Sequence, residues 1–212
     1  MPESQRDLAI TRVAFLELKD ERRLVTEGYD LLDEKRILLA AEIRRQLGHL
    51  RTLRTESRKA EEAARAALEE ALGRHGLDEL SVYPPLSTAD DHLRVSRSHL
   101  FGLELLDARL EAAAPRGGEH PVNPTPEARA CALAYRSWLV PLPALAACCL
   151  NLRRLVREYV RTERRARAIE NILLPEIDSS LKLIEEQLEG QDQEETARLR
   201  LRHSAAPTGR SL

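Results

Sequence analysis

Aromatic residues are scarce in this sequence. They account for 3% of the 212 residues, with one Trp and two Phe. A sheet protein relies on aromatic and β-branched side chains, so this composition argues against a sheet-based core. Charged residues, by contrast, make up 32% of the chain, and Leu, Ala, Arg and Glu are abundant. That balance is typical of long helices and coiled coils, and we expect a mainly α protein.

Long apolar runs and paired cysteines are also missing. The longest apolar run, residues 139–150, is too short to span a bilayer and contains two prolines. The opening residues lack the apolar segment of a secretory signal. The three cysteines, Cys131, Cys148 and Cys149, have no metal-ligand spacing, so we expect small, buried helix residues. The sequence therefore predicts a soluble, cytoplasmic chain without direct membrane insertion.

No strong charge of one sign and no metal-binding or catalytic pattern is present. The formal net charge is −2, and only one aromatic residue, Tyr159, lies among the arginines between 153 and 167, which argues against nucleic-acid binding. None of the six histidines belongs to a Glu-x-x-His motif of the kind that helical metal sites use. We expect no catalytic residues, no metal and no cofactor.

The first part of the chain carries a heptad pattern. With Phe15 at position a, nine of the first twelve a and d positions are apolar, which predicts a coiled-coil helix over residues 11–72. We expect Gly73 and Gly76 to end it. The apolar members of this seam include Phe15, Leu18, Val25, Leu32, Leu39 and Ile43.

The last part of the chain has a matching pattern. Residues 144–203 contain only two strong helix breakers, Pro175 and Gly190. The apolar residues after Pro175 repeat at spacings of four, three and four, at Ile177, Leu181, Ile184 and Leu188. The apolar residues before Pro175 form an offset stripe, so we expect a kink or shift there.

The middle of the chain predicts a small head. Residues 77–88 resemble a loop, residues 92–98 and 103–106 a short β-hairpin, and residues 126–139 a short helix capped by Thr125. Two matched terminal helices joined by such a head can pair only antiparallel. We therefore expect a long antiparallel coiled coil from 1–75 and 144–203, a head from 76–143 in which Trp138 packs, and a disordered tail from 204–212.

Two residues are unexpected in the N-terminal helix: a glycine beside the apolar seam and an arginine on it. Gly28 costs about 1 kcal/mol relative to alanine inside a helix, so we expect a close approach of the partner helix or a bend there. Arg36 occupies a seam position and would fix the register. If the two ends are level, Arg36 lies near Pro175, and we expect an ion pair with Glu170 or Glu176.

The terminal helices resemble those of a known family. Residues 10–39, including Gly28 and the pair Lys35-Arg36, are similar to the first helix of the D subunits of V-type and A-type rotary ATPases. Residues 164–203, including Arg164-Arg165, Pro175 and Leu188, are similar to the last helix of these subunits, and HLFGLEL at 99–105 is similar to their hairpin. The sequence departs from the family at Arg167, Gly190 and Thr196-Ala197.

This resemblance implies a non-catalytic central rotor shaft of a cytoplasmic complex that is peripheral to the membrane. It implies a heterodimer with the F subunit and contacts with the catalytic A and B subunits and with the socket subunit of the membrane ring. It also implies that ATP synthesis or hydrolysis is coupled to proton or sodium transport. Candidate tip contacts to the catalytic hexamer are Arg12, Arg198, Arg200 and Arg202.

A coiled-coil scaffold or tether outside any motor remains the alternative. A scaffold predicts a parallel or higher-order homo-oligomer, whereas the shaft predicts a one-to-one heterodimer.

Overall fold

A computed structural model describes residues 11–83, 91–112 and 125–204, with side chains up to Leu201. The order of elements is α1 (Arg12–Ser81), β1 (His92–Leu100), β2 (Leu103–Glu111), α2 (Pro126–Leu139), α3 (Leu142–Ala168), a π-helical segment (Ile169–Leu173) and α4 (Leu174–Ser204). The mainly α fold class, with long terminal helices and one small hairpin, is confirmed. The remainder of the tail expected from 204–212 lies outside the described residues.

Helix α1 extends beyond the end that the sequence suggested. Gly73 is helical, and the break occurs only at Gly76, whose φ of 70° and ψ of 176° are non-helical. Helix resumes immediately and ends at Ser81, so the loop expected from Leu77 is wrong for its first five residues. The reason is local: a positive φ is easily adopted by glycine, and the following LDEL is a good helix-forming sequence. Val82 and Tyr83 form a turn and a bend, which agrees with the expected loop, and residues 84–88 lie outside the described residues.

The described residues fall into two compact units. Unit 1 contains the described residues up to Arg36 and from Arg161 onwards, and unit 2 contains Ile37–Val160. These boundaries differ from the expected segments because each unit takes residues from both the first and the last long helices.

The core of unit 1 is an antiparallel contact between α1 and α4. Leu18, Ile177 and Ile184 are buried together, and the half-buried side chains around them are Phe15, Val25, Leu181 and Leu188. Arg12 contacts Asp192 whereas Arg22 contacts Asp178, so the two helices run in opposite directions within this unit.

The π-helical segment moves the buried stripe of unit 1 by one residue. Thr162 and Ala166 are buried and Ile169 is half-buried; the next inward residue is Leu174, five positions later. The N–H of Leu174 donates to the carbonyl of Ile169, which closes a π turn immediately before Pro175. The shift expected at Pro175 is therefore present, and an inserted residue in the helix produces it.

Unit 2 packs the hairpin and α3 against the middle of α1. Leu39, Leu105 and Leu155 are buried together, next to a second cluster of Leu53, Cys148 and Leu152. The antiparallel strands pair from His92 with Glu111 to Leu100 with Leu103. Phe101 and Gly102, with φ of 51° and 81°, form the two-residue turn between them.

Helix α2 begins and ends where the sequence predicted, at Pro126 and Leu139. Its N-cap residue is Thr125, but the Thr125 side chain makes no capping hydrogen bond. Its hydroxyl contacts His75 Nε2 at 2.7 Å and the Tyr83 hydroxyl at 3.2 Å instead. Trp138 is half-buried and packs edge-on against Tyr135.

The cysteines differ from one another. Cys131 and Cys148 are buried, and burial raises the pKa of both thiols. Cys149 is exposed, so the expectation that all three are buried is wrong for this residue. Ala147 and Cys148 are the buried residues of this turn of α3, and Cys149 lies about 100° further round the helix, outside the buried stripe.

By length and composition alone, one helical stretch, Pro126–Leu201, contains a window apolar enough to cross a membrane. This is weak support for a span because the core helix of a soluble protein passes the same test. The stretch is also broken at Val140 and Pro141, between α2 and α3.

Candidate functional site

The predicted seam lies inward along α1. Every a and d position from Phe15 to Leu53 is buried or half-buried, with the exception of Arg22. Leu32 is half-buried in unit 1, whereas Leu39 is fully buried and Ile43 half-buried in unit 2. The polar seam residue Gln46 is buried as well, and Cys148 donates to its carbonyl and side-chain oxygens.

Ion pairs on one side of unit 1 join α1 to α4. One guanidinium nitrogen of Arg12 lies 2.9 and 3.0 Å from the two carboxylate oxygens of Asp192. Arg22 Nε donates to Asp178 Oδ1 at 2.5 Å, and this hydrogen bond and charge raise the pKa of Arg22. All four side chains are exposed, so these pairs contribute little to stability and can exchange with water.

Arg36 does not form the interhelix pair that we expected. Its guanidinium donates to Asp33 Oδ1 at 2.5 Å, three residues earlier on the same helix. No ion pair joins Arg36 to Glu170 or Glu176, which are both within the described range. Asp33 is one turn away on the same helix and is therefore nearer to Arg36 than a carboxylate on another helix. Sequence periodicity alone does not show which of these carboxylates the arginine contacts.

Gly28 does not mark a close approach of the partner helix. A Cβ built on this residue meets no atom within 4 Å, so space is open beside the backbone. The hypothesis of close packing at Gly28 is therefore wrong. Helix α1 also continues through Gly28 without a break in its assignment. What the glycine provides is an unfilled position on the helix surface.

The end of α4 is helical but has no core. Leu188 is the last half-buried residue, and residues 189–201 are all exposed in this chain. Arg198 lies 3.3 Å from Glu194 one turn earlier, and Arg200 is exposed. The side chain of the fourth candidate tip residue, Arg202, lies outside the described residues. Arg12 is engaged with Asp192, as described above.

Two polar side chains of α3 attach the hairpin in unit 2. Asn151 is 4% exposed; its side-chain oxygen accepts from the N–H of Leu106 at 2.8 Å, and its amide donates to the carbonyl of Leu106 at 2.7 Å. Arg154 donates to the carbonyl of Glu104 at 2.6 Å. Asn151 thus completes the outer edge of β2 as a neighbouring strand would.

A buried ion pair attaches the start of the hairpin to α2. Arg136 donates to Asp91 Oδ1 at 2.5 Å, and both side chains are nearly inaccessible to water. Sequence reasoning missed Asn151, Arg136 and Asp91. One signal was available: Asn151 interrupts an otherwise apolar inward stripe in CCLNLRRL, and a buried polar residue must have a hydrogen-bond partner.

The described residues contain no group of three or more His, Cys, Asp or Glu side chains arranged to hold a metal ion. The described surfaces are helix faces, a hairpin attached by Asn151 and Arg154, and an exposed helix end.

Comparisons with known proteins agree with this description. A family model for the ATP synthase D subunit matches residues 14–202. The D subunit of the V-type ATP synthase of Anaeromyxobacter dehalogenans is 30% identical over 195 residues, which cover 91% of this chain and 93% of that protein. The corresponding protein of Thermotoga neapolitana is 26% identical, covering 91% and 95%. The D subunit of the A-type ATP synthase of Pyrococcus abyssi is 28% identical, covering 90% of each.

Proposed function

Because this chain belongs to the family of ATP synthase D subunits found in V-type and A-type complexes, we propose that it is the central rotor shaft of such a complex. In this role it transmits torque between the catalytic A and B subunits and the membrane ring, and so couples ATP synthesis or hydrolysis to proton or sodium transport. The shaft itself performs no chemistry.

The observation that carries this proposal is the end of α4. A helix that continues beyond its last inward residue, Leu188, with every residue of 189–201 exposed, makes no core contact of its own. Most helical stability in proteins comes from packing of an apolar face, so such an end is best supported by surrounding protein. A cavity in a ring of catalytic subunits would supply that surrounding.

The scarcity of exposed aromatic residues and the weakness of the surface ion pairs support a shaft that rotates against neighbouring subunits. All seven aromatic residues lie within the described ranges, and only Phe101 is exposed. Tight interfaces depend on buried aromatic anchors, which this surface does not offer. The ion pairs of the exposed faces are individually weak. Contacts of this kind break readily, as rotation in steps requires.

The partners follow from the same role. The F subunit forms a one-to-one heterodimer with the shaft, and the socket subunit joins the shaft to the membrane ring. The hexamer of A and B subunits surrounds the tip, where Arg198, Arg200 and Arg202 meet acidic groups. The complex is cytoplasmic and peripheral, and this chain does not enter the bilayer.

The tip contacts can be tested by replacing the three arginines together with glutamine. At about 0.2–1 kcal/mol for each exposed pair, the affinity for the A and B hexamer should fall between about three- and 150-fold. The matched control replaces the exposed Arg161, Arg164 and Arg165, which should leave the affinity within about twofold. Equal losses from both triple variants would contradict the proposed tip.

The shaft and the scaffold differ in stoichiometry. Native mass measurement after co-expression with the F subunit should give one copy of each chain. A stable homo-oligomer that excludes the F subunit would contradict the shaft and support a scaffold.

A further inference from the structure

A polar cleft lies where α1, the hairpin and α3 meet in unit 2. Every residue that lines it belongs to this unit. Its volume is about 210 Å³. Pockets for drug-sized ligands occupy about 300–1,000 Å³, so this cleft has room only for a smaller molecule. We name it the unit 2 cleft.

The buried side chains at the floor of the unit 2 cleft are held in place. Asn151 accepts from the N–H of Leu106 and donates to its carbonyl, and the side-chain amide of Gln46 is hydrogen-bonded as well. The apolar members of the floor include Leu105 and Ala147, both 7% exposed. Because the polar groups already have partners, the floor is a fixed surface that favours an aliphatic group of a ligand.

The rim of the cleft on α1 offers hydrogen-bond donors. Arg45 and His49 are exposed and lie one helical turn apart on the same face of α1. Arg45 binds Glu42 through Nε and Nη2, at 2.7 and 2.6 Å, and that contact does not use Nη1. The ring of His49 has no hydrogen-bond or ion-pair partner among the described residues. Both side chains can therefore donate to a carboxylate.

The rim on the hairpin offers a carboxylate and a hydroxyl. Ser98 pairs with Leu105, which is two positions from Asp107, so the side chains of Ser98 and Asp107 share one face of the hairpin. Asp107 lies 3.2 Å from a guanidinium nitrogen of Arg109; this pair is exposed and therefore weak. The Ser98 hydroxyl has no hydrogen-bond partner among the described residues. Both groups can accept from an ammonium group.

The charges around the cleft cancel. Arg45 is paired with Glu42, and Asp107 is paired with Arg109, so there is no excess of one sign that would favour a simple anion or a simple cation. The basic group nevertheless belongs to α1, whereas the acidic group belongs to the hairpin. A small molecule with one negative and one positive group matches both.

We propose that the unit 2 cleft binds a free, small aliphatic α-amino acid such as valine. The carboxylate binds Arg45 and His49, the ammonium group binds Asp107 and Ser98, and the aliphatic side chain packs on the apolar floor. The bound amino acid thereby joins α1 to the hairpin. This site goes beyond the proposed function and does not depend on it, since neither the binding nor its test involves rotation.

Titration of the isotope-labelled full-length chain with L-valine, followed by NMR of the backbone amides, tests the site. We expect saturable shifts of the Ser98 and Leu106 amides with a Kd of about 1 mM or below, which requires only a modest contribution from each of about eight non-hydrogen ligand atoms. Isovalerate lacks the ammonium group of valine, and isobutylamine lacks its carboxylate. Each should bind at least about threefold more weakly, as should glycine, which has no side chain for the floor.

A matched pair of variants locates the ammonium group. Asp107→Asn should weaken the binding of valine by about threefold or more, and change the binding of isovalerate by less than about twofold. The control, Glu111→Gln, replaces another exposed carboxylate of β2 that is paired with an arginine, Arg94, and lies outside the cleft. It should change the binding of valine by less than about twofold. Circular dichroism checks that both variants remain folded.

Any of three results would overturn this assignment. These are the absence of a saturable shift up to about 10 mM L-valine, an analogue with a single charge that binds as tightly as valine, or equal effects of Asp107→Asn and Glu111→Gln. None of these results bears on rotation, so failure of the unit 2 cleft is distinguishable from failure of the proposed shaft.

Discussion

Asn151 should be among the most sensitive positions in unit 2. Replacement by leucine keeps a side chain of similar size but removes both hydrogen bonds to the backbone of Leu106. A buried backbone group without a partner costs about 1–3 kcal/mol, and the two groups of Leu106 are partly buried, so we expect a loss of at most about 2–6 kcal/mol in the free energy of unfolding. The added apolar contact of leucine would place the result toward the lower end of this range.

Urea denaturation followed by circular dichroism measures this loss, and hydrogen exchange of the Leu106 amide locates it. We expect faster exchange at Leu106 in Asn151→Leu, because its N–H no longer has an acceptor. The control is Asn171→Leu, at an exposed position, which should change stability by less than about 0.5 kcal/mol. A loss below about 1 kcal/mol in Asn151→Leu, with unchanged exchange at Leu106, would refute the reasoning.

Three further predictions follow from the local geometry. Phe101 has φ of 51°. Phe101→Gly removes about 1–2 kcal/mol of backbone strain from the folded state but also increases the conformational freedom of the unfolded chain, so the melting temperature should rise or stay level. A clear fall in the melting temperature would contradict the strain at Phe101. In the native chain one thiol, Cys149, should react quickly with a thiol reagent while the buried pair, Cys131 and Cys148, reacts only in denaturant; three fast thiols would contradict the packing of α2 and α3. The hydrogen bond from Arg45 lowers the pKa of Glu42, so their pair stabilises the fold above the unfolded-state pKa and this contribution is lost as the pH falls through the folded-state pKa. Glu42→Gln should therefore be less stable than the parent near pH 7 and equally stable in strong acid, and a difference independent of pH would rule out the pair.

Residues whose role depends on a repeating pattern were predictable from the sequence. Apart from Arg22, the a and d positions of α1 from Phe15 to Leu53 lie inward, because helical periodicity fixes which side chains share a face. The same holds on α4 for Ile177, Leu181, Ile184 and Leu188. The start of α2 followed from the threonine and the proline at 125–126. Helical periodicity therefore accounts for the helical architecture, and alternation of side chains around a glycine turn accounts for the hairpin.

Residues whose role depends on a tertiary partner were not predictable in the same way. Asn151 depends on a strand edge that only the fold brings to it, and Arg36 pairs with a carboxylate on its own helix. Gly28 was interpreted as a packing position because periodicity cannot show whether a helix surface is filled. The shift before Pro175 was predictable in place, but its cause, an inserted residue in a π turn, required the backbone.

The most direct test of the central claim is observation of rotation. Cys149 is exposed and lies in unit 2, outside the terminal segments proposed to enter the catalytic ring, so it can carry a gold particle through a maleimide linker. With the A and B subunits fixed to a surface, the account predicts that ATP drives the particle in one direction in discrete steps. Continued ATP hydrolysis by the assembled complex with a stationary particle would contradict it.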